Sequence, residues 1–203
     1  TGGTFRNINV LGNTARCPDV NCAGLFALSL LGSAECNNVL VASNSIDLTD
    51  EDGAVHTTGN ATQRGIWIFG DTTNLATNIV VVSNTIRGAQ SFGIGIGLAR
   101  GFAISANAVE LCVTNAASGA VAIESGIYVA QGATTDGVIT GNNVKDCGGG
   151  GAGQAGIGTA SIATIKRVHI GSNNISDTRG VPAMVYGVNV GAAAANVTYG
   201  SNQ

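Results

Sequence analysis

The sequence predicts an all-β solenoid, and three observations lead to this prediction. The first is a phrase of the form apolar-x-apolar-x-x-Asn-x-apolar that recurs along the chain, as in Ile-Val-Val-Val-Ser-Asn-Thr-Ile at residues 79–86. The second is a shorter unit, a glycine followed by alternating apolar residues, that lies between successive phrases. The third is the composition, because 31 glycines, two prolines and 4% aromatic residues favour short strands and polar turns over packed helices.

The asparagine phrase defines the repeat, because the residues three and five positions before each key asparagine are apolar, with Gly137 as the exception. The key asparagines are Asn13, Asn44, Asn84, Asn107, Asn142, Asn173 and Asn202. Successive key asparagines are separated by 31, 40, 23, 35, 31 and 29 residues. This combination predicts constant strands joined by loops of variable length.

The alternation within each phrase predicts how the repeats pack. Val39 and Val41 lie on one face of their predicted strand, and so do Ile66 and Ile68 in a glycine unit. Short strands that all run in one direction can bury such a face only by coiling, with equivalent residues stacked about 4.8 Å apart. We therefore expect each position of the repeat to form a row along the solenoid.

The key asparagine is expected at the bend between two strands. Asparagine adopts the left-handed backbone conformation more readily than most residues, and its amide can hydrogen-bond to the next asparagine in a ladder. A solvated turn residue would not keep a fixed offset from two apolar positions in every repeat. The sequence therefore predicts one column made of Asn44, Asn84, Asn107, Asn142 and Asn173.

The phrase Val-x-Val-x-x-Asn-x-Ile, followed by Gly-Ile-x-Ile, resembles the right-handed parallel β-helix of the pectate-lyase-like superfamily, and within it most resembles bacteriophage tailspikes. The resemblance extends from Ile8 to Asn202. It implies a single-stranded right-handed parallel β-helix of about six to seven coils with an internal asparagine ladder. Residues 1–203 would form one such domain, which we expect to be a fragment of a longer chain. The superfamily hosts many activities, so the resemblance defines the fold more closely than the chemistry.

Charge and composition argue against several classes of partner. A net charge of −3 is unlike a nucleic-acid-binding surface, which needs clustered lysine and arginine. No apolar run is long enough to span a membrane. The histidines and cysteines show no spacing typical of a zinc site, so we expect neither a metal nor a cofactor.

Two of the five cysteines are expected to be neighbours in space. Cys112 and Cys147 each follow a key asparagine by five residues, which places them side by side on successive coils. Bridged cysteines have Cα atoms roughly 4.4–6.8 Å apart, so this spacing permits a disulfide. The alternative, which we favour, is a stacked pair of buried free thiols, because free cysteine is commonly buried.

Candidate catalytic residues lie in the row three positions after the asparagine. This row is Arg16, Asp47, Arg87, Glu110, Lys145 and Ser176, and its alternating signs predict a ladder of ion pairs. Asp47 and Glu110 should lie two coils apart, roughly 9.6 Å, at the upper separation of an inverting glycosidase pair. Glu124 and Asp71 are further candidates, and an ion pair with Arg100 is the competing role of Asp71.

Candidate carbohydrate-binding residues lie on the glycine unit. Phe26, Trp67 and Tyr128 occupy the outward position two residues after the glycine, and flat aromatic rings suit the apolar faces of sugars. Gly95, between Trp67 and Tyr128 in this row, is expected to leave room above it. Arg64 and Gln63 are nearby polar candidates. Loops that fold over the rings are the alternative reason for aromatic residues here.

An apolar row on the outer face of the first strands suggests an interface. Leu40, Val80 and Val138 occupy the outward position four residues before the asparagine. Tailspike-like β-helices associate as trimers, so the resemblance implies a homotrimer through this face. A covering segment outside the present chain is the alternative.

The leading functional hypothesis from the sequence is a phage-tailspike-like β-helix that binds, and in a stronger form depolymerises, a bacterial surface polysaccharide. This hypothesis implies an extracellular or virion-surface location. One alternative is a secreted polysaccharide lyase or glycoside hydrolase, which needs a proton-abstracting base or two carboxylates across a groove. Another is a non-catalytic structural appendage or adhesin rod.

Overall fold

The computed structural model describes residues 5–17, 26–31 (backbone only), 36–55, 63–112, 125–130, 132–149, 154–160, 164–192 and 194–203. Within these ranges the chain forms nineteen β-strands and no helix. The strands form three parallel sheets, and hydrogen-bonded neighbours within a sheet are three strands apart in sequence. Each turn of the chain therefore contributes one strand to each sheet, which confirms the prediction of an all-β parallel solenoid.

The first sheet contains, in spatial order, β1 (Phe5–Leu11), β4 (Cys36–Ala42), β7 (Ala76–Val82), β10 (Ala99–Ser105), β13 (Thr134–Thr140), β16 (Ile165–Gly171) and β19 (Ala195–Tyr199). The second sheet contains β2 (Thr14–Arg16), β5 (Ser45–Asp47), β8 (Thr85–Arg87), β11 (Ala108–Glu110), β14 (Asn143–Lys145) and β17 (Asn174–Ser176). The third sheet contains β3 (Phe26–Leu31), β6 (Arg64–Phe69), β9 (Phe92–Gly97), β12 (Ser125–Val129), β15 (Ala155–Thr159) and β18 (Tyr186–Asn189).

The core consists of stacked rows of branched aliphatic side chains. In the third sheet, Ile66, Ile94, Ile127 and Ile157 are register partners from strand to strand and are fully buried. Burial of one such side chain contributes roughly 1.5–3 kcal/mol. Because the residues of a row are equivalent, the same contact is repeated in every coil, as the alternation in the sequence predicts.

The asparagine ladder is present and lies inside the solenoid. The side-chain Oδ1 of each key asparagine accepts hydrogen bonds from the backbone N–H and the Nδ2 of the preceding one, for example 3.0 and 2.8 Å from Asn44 to Asn84. The same pattern joins the other key asparagines from Asn13 to Asn202. Each amide from Asn84 to Asn173 also donates to backbone carbonyl groups of its own and the preceding coil, such as Val82 and Val41 for Asn84. The predicted column is confirmed.

The left-handed bend lies one residue earlier than predicted. Positive φ angles occur at the residue before the key asparagine in six repeats: Gly12, Ser43, Ser83, Ala106, Gly141 and Ser172. The asparagine itself follows the bend, so its side chain points into the solenoid. Its hydrogen-bonding capacity, rather than its tolerance of a left-handed backbone, accounts for its place in the repeat.

A second left-handed column crosses the first sheet and was not predicted. The residue six positions before the key asparagine has a positive φ in all seven strands: Asn7, Asn38, Asn78, Gly101, Asp136, Arg167 and Asn196. Outside the solenoid, Asn78 Nδ2 donates to Asn38 Oδ1 at 3.1 Å, and Asn38 Nδ2 donates to Asn7 Oδ1 at 3.0 Å. The sequence signal was present, because Asn, Gly and Asp are the residues that adopt this conformation most readily.

Candidate functional site

The charged row lies on the outer face of the second sheet as predicted, and within it ion pairs join Arg87, Glu110 and Lys145. Asp47 pairs in register with Arg87, which pairs with Glu110, which pairs with Lys145. Glu110 lies 3.7 Å from both Arg87 Nε and Lys145 Nζ. Arg87 therefore separates the two candidate carboxylates, Asp47 and Glu110, and its charge counters the proton sharing that an acid–base pair needs. Exposed pairs of this kind contribute at most about 1 kcal/mol each.

The carboxylate of Asp47 is also engaged by its own loop. Oδ1 accepts hydrogen bonds from the backbone N–H and the hydroxyl of Thr49, at 3.1 and 2.7 Å. Burial raises the pKa of Asp47, but these hydrogen bonds and the charges of Arg87 and Arg16 outweigh burial and hold the pKa below its usual value. Asp47 is thus suited to remain ionised rather than to act as a general acid.

Asp71 has a local structural partner instead of the expected arginine. Its Oδ1 accepts the backbone N–H groups of Asn74 and Thr73, at 2.5 and 2.7 Å, and these bonds lower its pKa. Arg100 instead lies 3.8 Å from Asp136. The expectation of an Asp71–Arg100 ion pair is wrong. Asp71 caps the turn that leads into β7, whereas Arg100 lies on β10 with its guanidinium beside Asp136. Glu124 lies outside the described residues.

The aromatic residues of the third sheet pack into a layer over its outer face. The Trp67 ring stacks on Phe69 and Phe92 with centroids 5.1 and 4.6 Å apart, and Phe92 lies 5.8 Å from Tyr128. The Arg64 guanidinium lies 4.5 Å from the centre of the Trp67 ring. These contacts explain the aromatic positions by packing of one side chain on another.

Trp67 and Tyr128 are only 8% and 3% exposed. The structure therefore supports the alternative in which the rings are covered rather than available to a sugar. The expected free space above Gly95 is also absent. A Cβ at Gly95 would lie 2.4 Å from the Phe92 ring and 2.5 Å from the Trp67 ring, which fill that space. The Gln63 side chain is buried, and its amide has no hydrogen-bond partner among the residues that the structure describes. The Phe26 side chain lies outside the described residues.

A groove that was not predicted runs across the outer face of the first sheet. Two adjoining depressions of about 490 and 400 Å³ share Asp136 and Arg167. The first is also lined by Thr77, Asn78, Arg100 and Gly101, and the second by Gly137, Val138, Val168, His169, Asn196 and Thr198. The groove follows the left-handed column, since its lining includes Asn78, Gly101, Asp136, Arg167 and Asn196.

The centre of this groove is a bidentate ion pair. Arg167 Nε and Nη2 donate to the two carboxylate oxygens of Asp136 at 2.5 and 2.9 Å. These bonds, together with one from Thr135 and the charge of Arg100, lower the pKa of Asp136 to about 2. Arg100 and Arg167 against the single carboxylate of Asp136 leave the groove with more positive than negative charge.

The predicted apolar row is present on the outer face of the first sheet, and it reaches the groove at Val138. Leu40, Val80, Ala103 and Val138 are register partners in successive strands. Val80 and Val138 are 39% and 41% exposed. His169 and Thr198 continue the row, joined by a 2.9 Å hydrogen bond.

The cysteines agree with the favoured alternative. Cys112 and Cys147 are free, fully buried thiols. Cys36 is also a free, buried thiol, with a small fraction of its surface exposed. Cys17 is disulfide-bonded.

No family model, no characterised protein and no solved structure matches the chain. The part of the chain that the structure describes holds no helix that could cross a membrane. In the same residues, no group of three or more histidine, cysteine or acidic side chains is placed to hold a metal ion.

Proposed function

We propose that this solenoid binds a bacterial surface polysaccharide along the groove of the first sheet, in the manner of a phage-tailspike-like member of the pectate-lyase-like superfamily. The observation that carries the proposal is the groove itself. It is long and shallow, and it presents hydrogen-bonding side chains at the regular spacing of the coils, about 4.8 Å.

The chemistry of the groove supports a saccharide ligand. Asn78, Thr77 and Asn196 offer amide and hydroxyl groups, while Val138 offers an apolar surface beside them. Saccharide sites combine a few convergent polar groups with apolar surface in this way. The excess positive charge from Arg100 and Arg167 favours a polysaccharide that carries acidic groups.

Binding without cleavage is the form of the proposal that the geometry favours. Arg87 separates Asp47 from Glu110, and Asp71 caps a turn. A secreted lyase or hydrolase would act with residues other than these, and a structural rod or adhesin would bind no polysaccharide in the groove. The disulfide at Cys17 supports a location outside the reducing cytosol, at the cell exterior or on a virion.

We also propose that the apolar row is a contact between copies of this chain. Rows with identical spacing in every copy can pack against one another in register, which would cover Leu40 and Val80, the part of the row that lies outside the groove. The resemblance to tailspikes makes the expected assembly a homotrimer. Sedimentation of the wild type and of Val80→Lys tests this: the wild type should sediment as a trimer and the variant as a monomer. A monomeric wild type would disprove it.

The binding proposal is tested with a panel of bacterial capsular, O-antigen and plant polysaccharides in affinity electrophoresis. At least one bacterial polysaccharide should retard the protein, and the retardation should weaken as salt rises because exposed charges are screened. Reducing-end and ultraviolet assays on the same mixtures report cleavage. If no bacterial polysaccharide retards the protein, the proposal fails. If no polysaccharide of the panel is bound or cleaved, the structural rod is the remaining function.

Two variants locate the binding surface. Arg167→Ala should weaken binding about tenfold, since a charge-assisted hydrogen bond contributes about 1.5–3 kcal/mol. The matched control is Arg16→Ala, an exposed arginine on the second sheet. Equal effects of both variants would show that the groove is not the binding surface. The fluorescence of Trp67, the single tryptophan, reports on the surroundings of the third sheet. A ligand bound in the groove of the first sheet should therefore leave this fluorescence unchanged.

A further inference from the structure

A short ladder of asparagine side chains on the outer face of the first sheet stops in the middle of the sheet. Asn78 Nδ2 donates to Asn38 Oδ1 and Asn38 Nδ2 donates to Asn7 Oδ1, so each asparagine donates to the one in the preceding coil. The next residue of the left-handed column is Gly101, which has no side chain to continue the series. This outer ladder therefore ends at Asn78, and a gap lies above Gly101.

The side-chain oxygen of Asn78 faces the gap. A Cβ placed on Gly101 would lie 3.4 Å from Asn78 Oδ1. The equivalent oxygen atoms of Asn38 and Asn7 each accept a hydrogen bond from the next coil. Within the part of the chain that the structure describes, no side chain or backbone group donates to Asn78 Oδ1. An acceptor of the ladder is thus left for a ligand.

The gap is not imposed by a lack of space. Besides Asn78 Oδ1, the nearest atom to a Cβ on Gly101 would be the Asn78 backbone nitrogen, at 3.8 Å. The left-handed backbone does not require glycine either, because Asn7, Asn38, Asn78 and Asn196 adopt it with φ angles between 53° and 56°. An asparagine would fit at position 101, so the glycine there leaves open a place that a side chain could fill.

Arg100 and Asp136 form the opposite side of the gap. Asp136 is the next residue of the left-handed column, and its carboxylate is held by the bidentate bonds from Arg167. Arg100 Nε lies 3.8 Å from Asp136 Oδ2, and 69% of the Arg100 side chain is exposed. Among the described residues the Arg100 guanidinium makes no closer polar contact. Its N–H groups are therefore available to an acceptor on a ligand.

We propose that the gap above Gly101 is a subsite for the acetamido group of an N-acetylated amino sugar. An acetamido group is a planar amide, and its N–H and C=O point in opposite directions as in a trans peptide. Its N–H donates to Asn78 Oδ1 while its carbonyl oxygen accepts from Arg100, so the group takes the place of the missing asparagine amide. The inference rests on the proposed function, because it names a group that the bound polysaccharide would carry.

A sugar with a hydroxyl group in place of the acetamido group should bind this subsite less well. The strands of Asn78 and Asp136 lie two coil spacings apart, roughly 9.6 Å. A hydroxyl group reaches one side of this gap and leaves the hydrogen-bonding group on the other side without a ligand partner. Sites that hydrogen-bond a substrate group discriminate against analogues that lack it. Because the subsite is open to water, we expect a preference of about tenfold.

The test compares two sets of uncharged probes on the folded chain. The first set contains the methyl glycosides of N-acetylglucosamine, N-acetylgalactosamine and N-acetylmannosamine, and the second contains those of glucose, galactose and mannose. At least one N-acetylated probe should shift the side-chain amide signal of Asn78 in ¹⁵N–¹H spectra, at about tenfold lower concentration than its hydroxyl analogue. The signal is identified by its absence in Asn78→Ser. Equal effects of the two sets, or no shift with any N-acetylated probe, overturn the inference.

Two glycine variants locate the subsite. Gly101→Asn should abolish the response to N-acetylated probes, because the new side-chain amide donates to Asn78 Oδ1 and fills the gap. The matched control is Gly141→Asn, at an exposed glycine with a similar φ of 66° and no atom closer than 3.9 Å to its Cβ. The control should respond like the wild type, and thermal unfolding checks that both variants fold. A wild-type response in Gly101→Asn overturns the inference.

Arg100→Ala tests the other side of the gap without a change of backbone conformation. Loss of a charge-assisted hydrogen bond to the acetamido carbonyl oxygen should weaken binding of the N-acetylated probes about tenfold. Binding of the hydroxyl analogues should change less, which a general loss of structure would not produce. An equal change for both sets of probes overturns the role of Arg100 in the subsite.

Affinity electrophoresis of the same variants separates this inference from the proposed function. If a bacterial polysaccharide retards the wild type and Gly101→Asn equally, the subsite is wrong and the polysaccharide binds elsewhere in the groove. If the N-acetylated probes bind but no bacterial polysaccharide retards the wild type, the proposed function fails alone. Weaker retardation of Gly101→Asn than of Gly141→Asn supports both.

Discussion

At the scale of single residues, the key asparagine joins neighbouring coils through several side-chain hydrogen bonds at once. Asn84 donates to Asn107, Val41 and Val82 and accepts two bonds from Asn44. Its side chain is buried, so each of these bonds is made where water cannot replace it. A buried donor that loses its acceptor costs about 1–3 kcal/mol.

Asn84→Ala should therefore destabilise the chain by about 3 kcal/mol, because it removes the Oδ1 atom that accepts from the backbone N–H and the Nδ2 of Asn44, together with the three bonds that Asn84 donates. Asn84→Asp should cost more at neutral pH and less as the pH falls, since protonation restores a donor and removes a buried charge. Urea unfolding measures both effects. Asn13→Ala is the control: Asn13 is exposed and the change should cost less. Equal costs at both positions would contradict the role of burial.

The Asp177 carboxylate gives the chain a predictable sensitivity to acid. The Arg179 guanidinium, in opposition to burial and aided by the backbone N–H groups of Met184 and Ala183, holds the pKa of Asp177 well below its usual value. Asp136 behaves similarly, with a pKa of about 2 set first by Arg167. A carboxyl group whose folded pKa is depressed stabilises the fold above its unfolded pKa of about 3.9 and loses that contribution as the pH falls towards the folded value.

Asp177→Asn should accordingly be destabilising at pH about 7, and the difference from the wild type should shrink between pH about 4 and 2. The reason is that the wild type loses its ionised partner for Arg179 in that range while the variant has none to lose. Denaturant unfolding at several pH values measures the difference. A gap that stays constant with pH would show that Asp177 acts by packing alone.

At the scale of the strand, the third sheet depends on glycines that accept rings from a neighbouring strand. β9 carries Gly95 and Gly97 where β6 carries Trp67 and Phe69, and a Cβ at Gly97 would lie 2.4 Å from the Phe69 ring. The aromatic layer therefore exists because the next coil lacks side chains at those positions. A bulky aromatic side chain in one strand is matched by a glycine, which has no side chain, in the next strand.

Gly95→Ala should cost about 1–3 kcal/mol, since the added methyl group meets two buried rings that have no free space to move into. It should also alter the fluorescence of Trp67, the single tryptophan. Gly180→Ala is a matched control, because no heavy atom lies within 4 Å of a Cβ there. Thermal unfolding followed by fluorescence measures both. If the two variants unfold alike, the rings are more mobile than their packing indicates.

The strand rows were predictable from the sequence, whereas contacts between side chains of different rows were not. The alignment of the charged row from Arg16 to Lys145 followed from the repeat alone, since position in the repeat determines the row. The burial of Trp67 did not follow, because it depends on Phe92, which lies at a different position of the repeat. The left-handed column at Asn38 and Asn78 was readable but was missed, since it lies outside the apolar phrase.

At the scale of the whole molecule, stability is expected to decrease from the central coils towards the ends. The inward residues of β7 and β10, such as Val81 and Ile104, are fully buried, whereas most residues of β1 and β19 are exposed. In a solenoid each coil contacts only its neighbours, so a terminal coil has half the contacts of a central one.

Hydrogen exchange should therefore show the slowest amides in β7, β10 and β13 and progressively faster ones towards β1 and β19. Mass spectrometry of peptides after timed exchange measures the gradient. Asn107→Ala should split the protected region at its centre, while Thr85→Ala, an exposed change on the second sheet, should leave the gradient intact. Uniform protection along the chain would mean that the solenoid unfolds as one unit.

The asparagine ladder also has a polarity along the solenoid axis, which affects how the chain responds to a pulling force. Every rung donates from the lower-numbered asparagine to the higher-numbered one, so all the side-chain amides point the same way along the axis. A force that pulls one end of the chain away from the solenoid acts on one pair of hydrogen-bonded asparagines at a time. We expect a pulled molecule to lengthen in a series of discrete steps, each releasing one coil, with step sizes that follow the unequal lengths of the loops.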